Sequence, residues 1–310
     1  MTISLVTGGA GFIGSHIAER LLAEGHTVRI VDNFATGKRE NIAAFQDQVE
    51  LHEISITDLE KLTAAMSGVD YVFHQAAIPS VPRSVDDPFT NHEVNVTGTF
   101  NVLVAARDSG VKRVVYAASS SAYGDVEGEY KSEDMSPRPM SPYGAAKLMG
   151  EYYMQVFTEV YGLETVSLRY FNVFGPRQDP TSTYAAVIPK FATAILDDAK
   201  PTIYGDGLQS RDFTYIENVV TGNFLAATVP GVGGQMFNLA CGERYSLLTL
   251  MDTLNSYIGK QIEPIFAPAR QGDIKHSRAD ISKARQLLGY EPQVSFEEGI
   301  ARTVDWFASQ

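Results

Sequence analysis

The sequence predicts an α/β protein in which a doubly wound parallel sheet flanked by helices is followed by a smaller α/β domain. Three observations carry this. Short β-rich runs alternate with helix-period segments through the first half of the 310 residues. A glycine-rich turn follows the first of these runs directly. After about residue 172 the alternation loosens, and Pro176, Pro180, Pro189 and Pro201 break any long helix. The expected division is therefore 1–172 and 173–310.

In chain order, strands are expected at 3–6, 27–31, 49–54, 71–74, 113–117 and 165–169, runs rich in β-branched and aromatic residues. Helix-period segments lie between them at 12–23, 58–66, 95–109 and 143–160. Gly25, Gly68, Gly110 and Gly162 stand where these helices should stop. A further apolar helical segment near 215–230 is expected to return to the first domain.

Composition excludes several functions. A formal net charge of −12 with no Lys/Arg run would repel a polyanion, so nucleic acid is not an expected partner. The single cysteine, Cys241, cannot form an internal disulfide and fits a reducing compartment. Every apolar run is shorter than the ~20 residues of a membrane span, and the segment at 3–6 is too short for a signal peptide. A cytoplasmic protein with no membrane partner and no metal is expected.

Gly8, Gly11 and Gly14 lie in Thr7-Gly8-Gly9-Ala10-Gly11-Phe12-Ile13-Gly14, between the first strand and the first helix. There Gly8 permits a tight turn, Gly11 lets the backbone approach a pyrophosphate and Gly14 allows close packing, while the helix N-terminus offers amides to the phosphates. Asp32 ends the second strand 18 residues after Gly14, where a carboxylate can bind a ribose diol and repel a 2′-phosphate. NAD is expected rather than NADP.

Tyr143 and Lys147 are four residues apart and share one helix face. A fixed cation beside a phenol favours the phenolate, so Tyr143 is a candidate base and a lowered pKa is expected for it. Upstream, the strand ending near Ala117 runs into Ser119, Ser120 and Ser121, hydroxyls at the carboxyl edge where ligands of such sheets bind. His74, ending a buried strand, reads as structural.

The glycine spacing, the Ser119 to Tyr123-Gly124 spacing and the Tyr-Lys pair together resemble the extended short-chain dehydrogenase/reductases, and the chain resembles their NAD-dependent epimerase/dehydratase branch over nearly its whole length. The resemblance implies a Rossmann domain with Ser119, Tyr143 and Lys147 as catalytic residues. It also implies cofactor contacts from Gly8, Gly11, Phe12, Ile13, Gly14, Asp32, Asn33, Ile56, Ala76, Ala77, Asn95 and Tyr170, besides Tyr143 and Lys147. Phe171 is expected near the nicotinamide or in the core.

For the substrate, the resemblance implies a UDP-sugar gripped at its diphosphate by Asn172, Arg211 and Arg270, with Asp273 on the uridine ribose. Ala186, Val187 and Tyr204 belong to the same nucleotide site, and Ser80, Ser120 and Ser121 to the sugar. Ser277 matches a gatekeeper beside the sugar's 2-substituent, and a small residue there leaves space for an N-acetyl group. The implied activity is UDP-hexose 4-epimerisation; UDP-glucuronate epimerisation, decarboxylation or dehydration is the alternative. Ser119-Ser120-Ser121 lacks the acidic pair that dehydratases of this family use. Three departures stand out: Ser55 before Ile56 where many relatives have Asp, Asn218 after the Arg-Asp-Phe loop, and Pro79 where the acetamido-preferring branch has Gly. A homodimer paired through the helices after Asn95 and around Tyr143 is implied as well.

Overall fold

The computed structural model describes residues 2–126, 128–180, 186–269 and 275–310. The first half alternates β1 (Ile3–Thr7), α1 (Phe12–Ala23), β2 (Thr27–Val31), β3 (Val49–His52), α2 (Leu59–Ala65) and β4 (Tyr71–His74). Two short helices follow, α3 (Val81–Asp86) and α4 (Pro88–His92), then α5 (Thr99–Asp108), β5 (Arg113–Ser119), α6 (Pro142–Tyr161) and β6 (Glu164–Tyr170). The second half holds β7 (Val173–Phe174), α7 (Val187–Leu196), β8 (Thr202–Tyr204), β9 (Ser210–Arg211), β10 (Thr214–Tyr215) and α8 (Ile216–Thr228). It ends with β11 (Gln235–Leu239), β12 (Tyr245–Ser246), α9 (Leu247–Ile258), β13 (Ile265–Ala267), α10 (Ser282–Leu288) and α11 (Phe296–Ala308).

Seven strands make one parallel sheet in the order β11-β6-β5-β4-β1-β2-β3. The chain starts in the middle, builds outward to β3, then crosses to β4, so the order reverses between β1 and β4. Ligands of such sheets bind at that switch, beyond the carboxyl ends of the strands. On one face α2, α5 and α6 bury Leu62, Val102, Leu103, Met154 and Phe157; on the other, α1 and α8 bury Ile17, Leu21, Val219 and Ala226. The second-face core continues into the second half through Ile188, Leu250 and Ile300, so the two halves share apolar contacts.

Three features differ from the sequence expectation. The strand expected at 113–117 runs on to Ser119, which carries the first candidate hydroxyl onto the sheet itself. The helix expected from Asn95 begins as a π-helical turn, Glu93–Gly98, before α5 continues it. The sheet takes its seventh strand, β11, from the second half, after α8 has packed back against α1. Arg113 fastens that return: its Nη1 donates to the carbonyls of Ala226, Ala227 and Val229 at 2.9, 3.1 and 2.7 Å, satisfying the C-terminus of α8, while Nε donates to Glu164 at 2.8 Å. The four glycines expected to stop helices all have positive φ, from +69° to +79°.

Candidate active site

The glycine loop closes largely on its own backbone, with Ala10 held from outside by the Asp32 carboxylate and Asn41 Nδ2, each at 2.9 Å. Gly8 adopts φ +68°, and a Cβ there would lie 2.7 Å from the Ala76 amide at the head of the neighbouring crossover. A Cβ on Gly14 would lie 2.1 Å from the Gly8 carbonyl oxygen. Gly11 donates to that carbonyl at 3.0 Å and serves as the N-cap of α1 with no side chain to cap it. The first amides of α1, those of Phe12 and Ile13, therefore face the mouth of the switch point, as a pyrophosphate requires.

Asp32 is buried and accepts the Ala10 amide at 2.9 Å and the Phe34 amide at 2.8 Å. Burial raises its pKa and the two amides oppose that rise. One lone pair on each oxygen is committed to an amide, so the carboxylate keeps acceptor capacity for a diol. Gly37 closes over it, since a Cβ there would sit 2.8 Å from Oδ2. The residues fit an NAD adenosine in this respect. Asn33 is exposed and caps its own turn through Ala35, whereas Ile56 is buried against Gly98. Ala76 and Ala77 are half-buried just beyond β4.

Asn95 is buried in the π-helical turn. Its Oδ1 accepts the Ile78 amide at 2.8 Å, and its Nδ2 donates to the Ile78 carbonyl at 3.2 Å and to Asn91 at 2.8 Å. It clamps the 76–80 loop that carries Ser80, which itself caps α3 by accepting the Arg83 amide at 3.2 Å. His74 is fully buried, with Nδ1 2.7 Å from Thr7 Oγ1 and Nε2 2.9 Å from Thr99 Oγ1, and burial drives its pKa down to about 3. It is a neutral strut below the loop.

The register of β5 and β6 pairs Ser119 with Tyr170 at the carboxyl edge of the sheet. Ser119 Oγ accepts from the Ser121 amide at 3.2 Å and from Ser121 Oγ at 2.8 Å. Tyr143 lies one residue into α6. Ser141 caps that helix by accepting the Gly144 amide at 3.1 Å, Pro142 has no N–H, and the Tyr143 amide is taken by buried Ser84 at 3.1 Å. Lys147 is buried, donates to the Ala117 carbonyl at 2.8 Å, and sits 5.9 Å from the Tyr143 ring centroid.

The expected fall in the Tyr143 pKa is not found. Burial pushes this phenol up to about 12, opposed by a hydrogen bond with Ser119. Desolvation of the buried phenol dominates, and the same burial lowers Lys147 to about 7, with the Glu151 charge opposing. Glu151 is itself held by Arg169 in a buried two-pronged pair at 2.8 and 2.7 Å. Sequence reasoning passed over this pair, although Glu151 lies one helical turn after Lys147. Tyr170 Oη is 2.9 Å from Asn223 Oδ1 and 3.2 Å from Gln75 Oε1, while Phe171 is wholly buried in the core with Tyr123 and Ala240.

Beyond the sheet edge lies a cavity of about 300 Å³. Asn172, Ala186, Val187, Tyr204 and Arg211, singled out from sequence, all line it, together with Lys190, Gln209 and Phe213, which were not. Lys190 follows Val187 by three residues on α7, so helical spacing was the available signal. Ser277 is half-buried outside the cavity lining, its amide donating to the Ser210 carbonyl at 3.1 Å. Arg270 and Asp273 lie outside the described residues. Ser120 and Ser121 stay at the sheet edge with Ser119. Asn218, noted as a departure, joins α8 to the last turn before α11 by accepting the Gln293 and Val294 amides at 2.9 and 3.1 Å.

The profile of the NAD dependent epimerase/dehydratase family matches residues 4–240. The UDP-glucose 4-epimerase of Mycolicibacterium smegmatis is 41% identical, with 99% of each chain covered. Among solved structures, the UDP-N-acetylglucosamine 4-epimerase of Methanobrevibacter ruminantium, in complex with UDP-N-acetylmuramic acid, is 40% identical with a TM-score of 0.95 over 100% of this chain and 99% of that one. The Thermus thermophilus UDP-glucose 4-epimerase complex with NAD is also 40% identical, with a TM-score of 0.91 and 99% of both chains covered. With this fold, this loop and this Ser-Tyr-Lys set, the chain belongs to the NAD dependent epimerase/dehydratase family.

Proposed function

We propose that the protein is a UDP-hexose 4-epimerase that interconverts UDP-glucose and UDP-galactose and also takes the N-acetylated pair. The observation that carries this reading is the register that sets Ser119, hydrogen-bonded to Tyr143, opposite Tyr170, two residues before the Asn172 that lines a cavity together with Arg211. Tyr143 takes the proton of the sugar 4-hydroxyl as hydride leaves carbon 4, and returns it after the hydride has come back to the opposite face. NAD, which the 7–14 loop and Asp32 would hold, would supply the hydride-accepting and hydride-returning chemistry and a positive charge that favours the phenolate. Lys147, tethered to the Ala117 carbonyl on the same helix face, supplies positive charge in its protonated form, and Ser119 holds the reacting oxygens in line. Arg211 and Asn172 grip the diphosphate, which leaves the keto-sugar free to turn over. Ser120 and Ser121 offer hydroxyls and no acid-base pair, so elimination of water has no support from the residues beside Ser119.

Purified protein should be incubated with UDP-glucose, UDP-N-acetylglucosamine and UDP-glucuronate and the product epimers resolved, with NADH monitored. Epimers of the first two without stoichiometric NADH are expected; turnover of UDP-glucuronate alone would sink the assignment. Ser277→Tyr should depress the acetamido reaction selectively, and equal loss on both sugars would remove Ser277 from substrate selection. A homodimer is part of the same proposal. Met149, Tyr152, Tyr153, Val156 and Val160 project from one face of α6 with exposures of 36–66%, and Phe100 of α5 packs edge-on to Tyr153 at 5.2 Å. Light scattering should read twice the chain mass, and a wild-type monomer would exclude the pairing.

A further inference from the structure

Between Arg211 and Phe213, both lining the cavity, stands a side chain that the proposed chemistry does not use. Asp212 has no solvent exposure. Its Oδ1 accepts the Cys241 amide at 3.0 Å, and its Oδ2 accepts the Gly242 amide at 3.0 Å and the Ala279 amide at 3.1 Å. One carboxylate thus joins three stretches of chain. The first is the turn that leaves β11, and so the central sheet. The second is β9 with Arg211. The third is the segment 275–280, which has isolated bridges to Ser210 and Lys131 in place of a helix or sheet of its own.

That third stretch is what Arg211 rests on. Arg211 Nη1 donates to the carbonyls of Ser210 at 2.9 Å and Lys275 at 3.3 Å. The segment is laced to β9 by Ser210 to Lys275 at 2.9 Å and Ser277 to Ser210 at 3.1 Å, with Ser210 Oγ 2.8 Å from His276 Nδ1. Its far end is fixed by the Asp212 bond to Ala279 and by Arg278, whose Nε donates to the Gly242 carbonyl at 2.7 Å. A backbone bridge to Lys131 on either side of Ala279, at 2.8 and 2.9 Å, and Asn238 of β11, whose Nδ2 donates to the Asp280 carbonyl at 3.0 Å, fix it as well. If Asp212 lets go, Ala279 and the turn at 241–242 lose their common acceptor and β9 loses its direct tie to the turn that leaves the sheet. The carbonyl support beneath the Arg211 guanidinium is then referenced to the sheet through the far end of the 275–280 segment instead.

We propose that Asp212 is a positioning residue for the nucleotide diphosphate: it orients Arg211 by tying β9, the turn after β11 and the segment 275–280 into one unit. The inference rests on the functional reading only in taking a uridine diphosphate as the ligand of Arg211. Charge alone argues the opposite. Removing a carboxylate next to an anion-binding arginine should tighten anion binding, whereas losing the tie should weaken it. Asp212→Asn separates the two, because an asparagine keeps one carbonyl oxygen and turns an NH₂ toward at least one of the three amides.

The test is calorimetric titration of the NAD-loaded full-length protein with UDP, for wild type and Asp212→Asn. The variant should bind UDP about ten-fold more weakly, the scale of a lost hydrogen bond to a charged group. The loss should appear in KM for UDP-glucose rather than in kcat, with bound NAD at the wild-type level. Equal or tighter UDP binding, or a loss of NAD in proportion, overturns the inference. Should the variant not fold, wild type suffices: UDP should slow hydrogen exchange at the Cys241, Gly242 and Ala279 amides, and exchange unaffected by UDP overturns it too. Wild type that binds no UDP at all fails the functional reading and this inference together.

Discussion

On the cofactor side of the cleft, buried Asp32 holds the amides of Ala10 and Phe34, 22 and 2 residues away. On the sugar side, buried Asp212 holds those of Cys241, Gly242 and Ala279, 29, 30 and 67 residues away. The device is the same, a carboxylate accepting backbone N–H groups, and its reach differs. The glycine loop folds on itself between two regular elements, so its shape follows from a contiguous run of residues. The corner around Arg211 has strands of two residues and is assembled from remote pieces by side chains. Cofactor binding should therefore survive damage to the sugar side, and the reverse dependence should be absent too.

The strongest break in the comparison is chemical. Tyr143→Phe removes the ionisable oxygen and nothing that touches the glycine loop, so kcat should fall by ~10²–10⁴-fold while NAD content holds. Denaturing extraction and chromatography of the bound nucleotide, beside a turnover assay, measure both. Near-normal turnover in the Phe protein would dismiss Tyr143 as the base, and loss of NAD would show that the two sides are not separable.

This division also explains what could be read without a structure. The loop at 7–14 and the Tyr143–Lys147 pair are local patterns resting on spacing within one turn or one helix, and Asp32 is legible from one strand-helix-strand unit, 18 residues after Gly14. Five cavity residues on the sugar side were found through family resemblance, while Lys190, Gln209 and Phe213 beside them were passed over. Asp212 has no local pattern, because its partners are remote. Strand β11 escaped because Gln235-Met236-Phe237-Asn238-Leu239 carries two amide side chains and no β-branched residue, so it lacks the composition that marked the other strands. The π-helical turn at Asn95 has the same apolar character as an α-helix over so few residues, and only its wider i→i+5 backbone bonding distinguishes it. The raised Tyr143 pKa needed burial, which spacing does not report.

Proton linkage sharpens the contrast, because the two sides should respond to pH with opposite sign. His74, beneath the glycine loop, is lowered to about 3 from 6.5, so the unfolded chain binds its proton first. Its contribution is complete above pH 6.5 and is lost as pH falls toward 3, by at most about 1.4 kcal/mol per pH unit. Asp212 is raised by burial to about 7 from 3.8, so the folded chain keeps its proton longer and stability from this group falls as pH rises from 3.8 to about 7. Denaturant unfolding between those limits should therefore show a steeper acid loss in Asp212→Asn than in wild type, and a shallower one in His74→Asn. Slopes that change in the same direction would break the pairing.

The smallest expected effect lies where the two sides meet, at the start of α6. Of the amides there, Pro142 offers none, Gly144 is accepted by Ser141 and Ala145 by the Ser141 carbonyl, which leaves Tyr143 to Ser84. Ser84 belongs to α3, on the loop that begins with Ser80, and donates in turn to the Val81 carbonyl at 2.7 Å. It therefore couples the loop that carries Ser80 to the backbone of Tyr143, the proposed base. Ser84→Ala leaves the Tyr143 amide without an acceptor and should cost about 1 kcal/mol of stability, as loss of a helix cap does. Ser141→Ala should cost a similar amount by freeing Gly144 instead. Only the Ser84 change releases Tyr143 itself, so it should also lower kcat, by roughly two- to five-fold for a shift worth less than 1 kcal/mol at the base. Equal kcat in the two alanine proteins would reduce Ser84 to a cap, and an unchanged unfolding midpoint for Ser84→Ala would deny it even that.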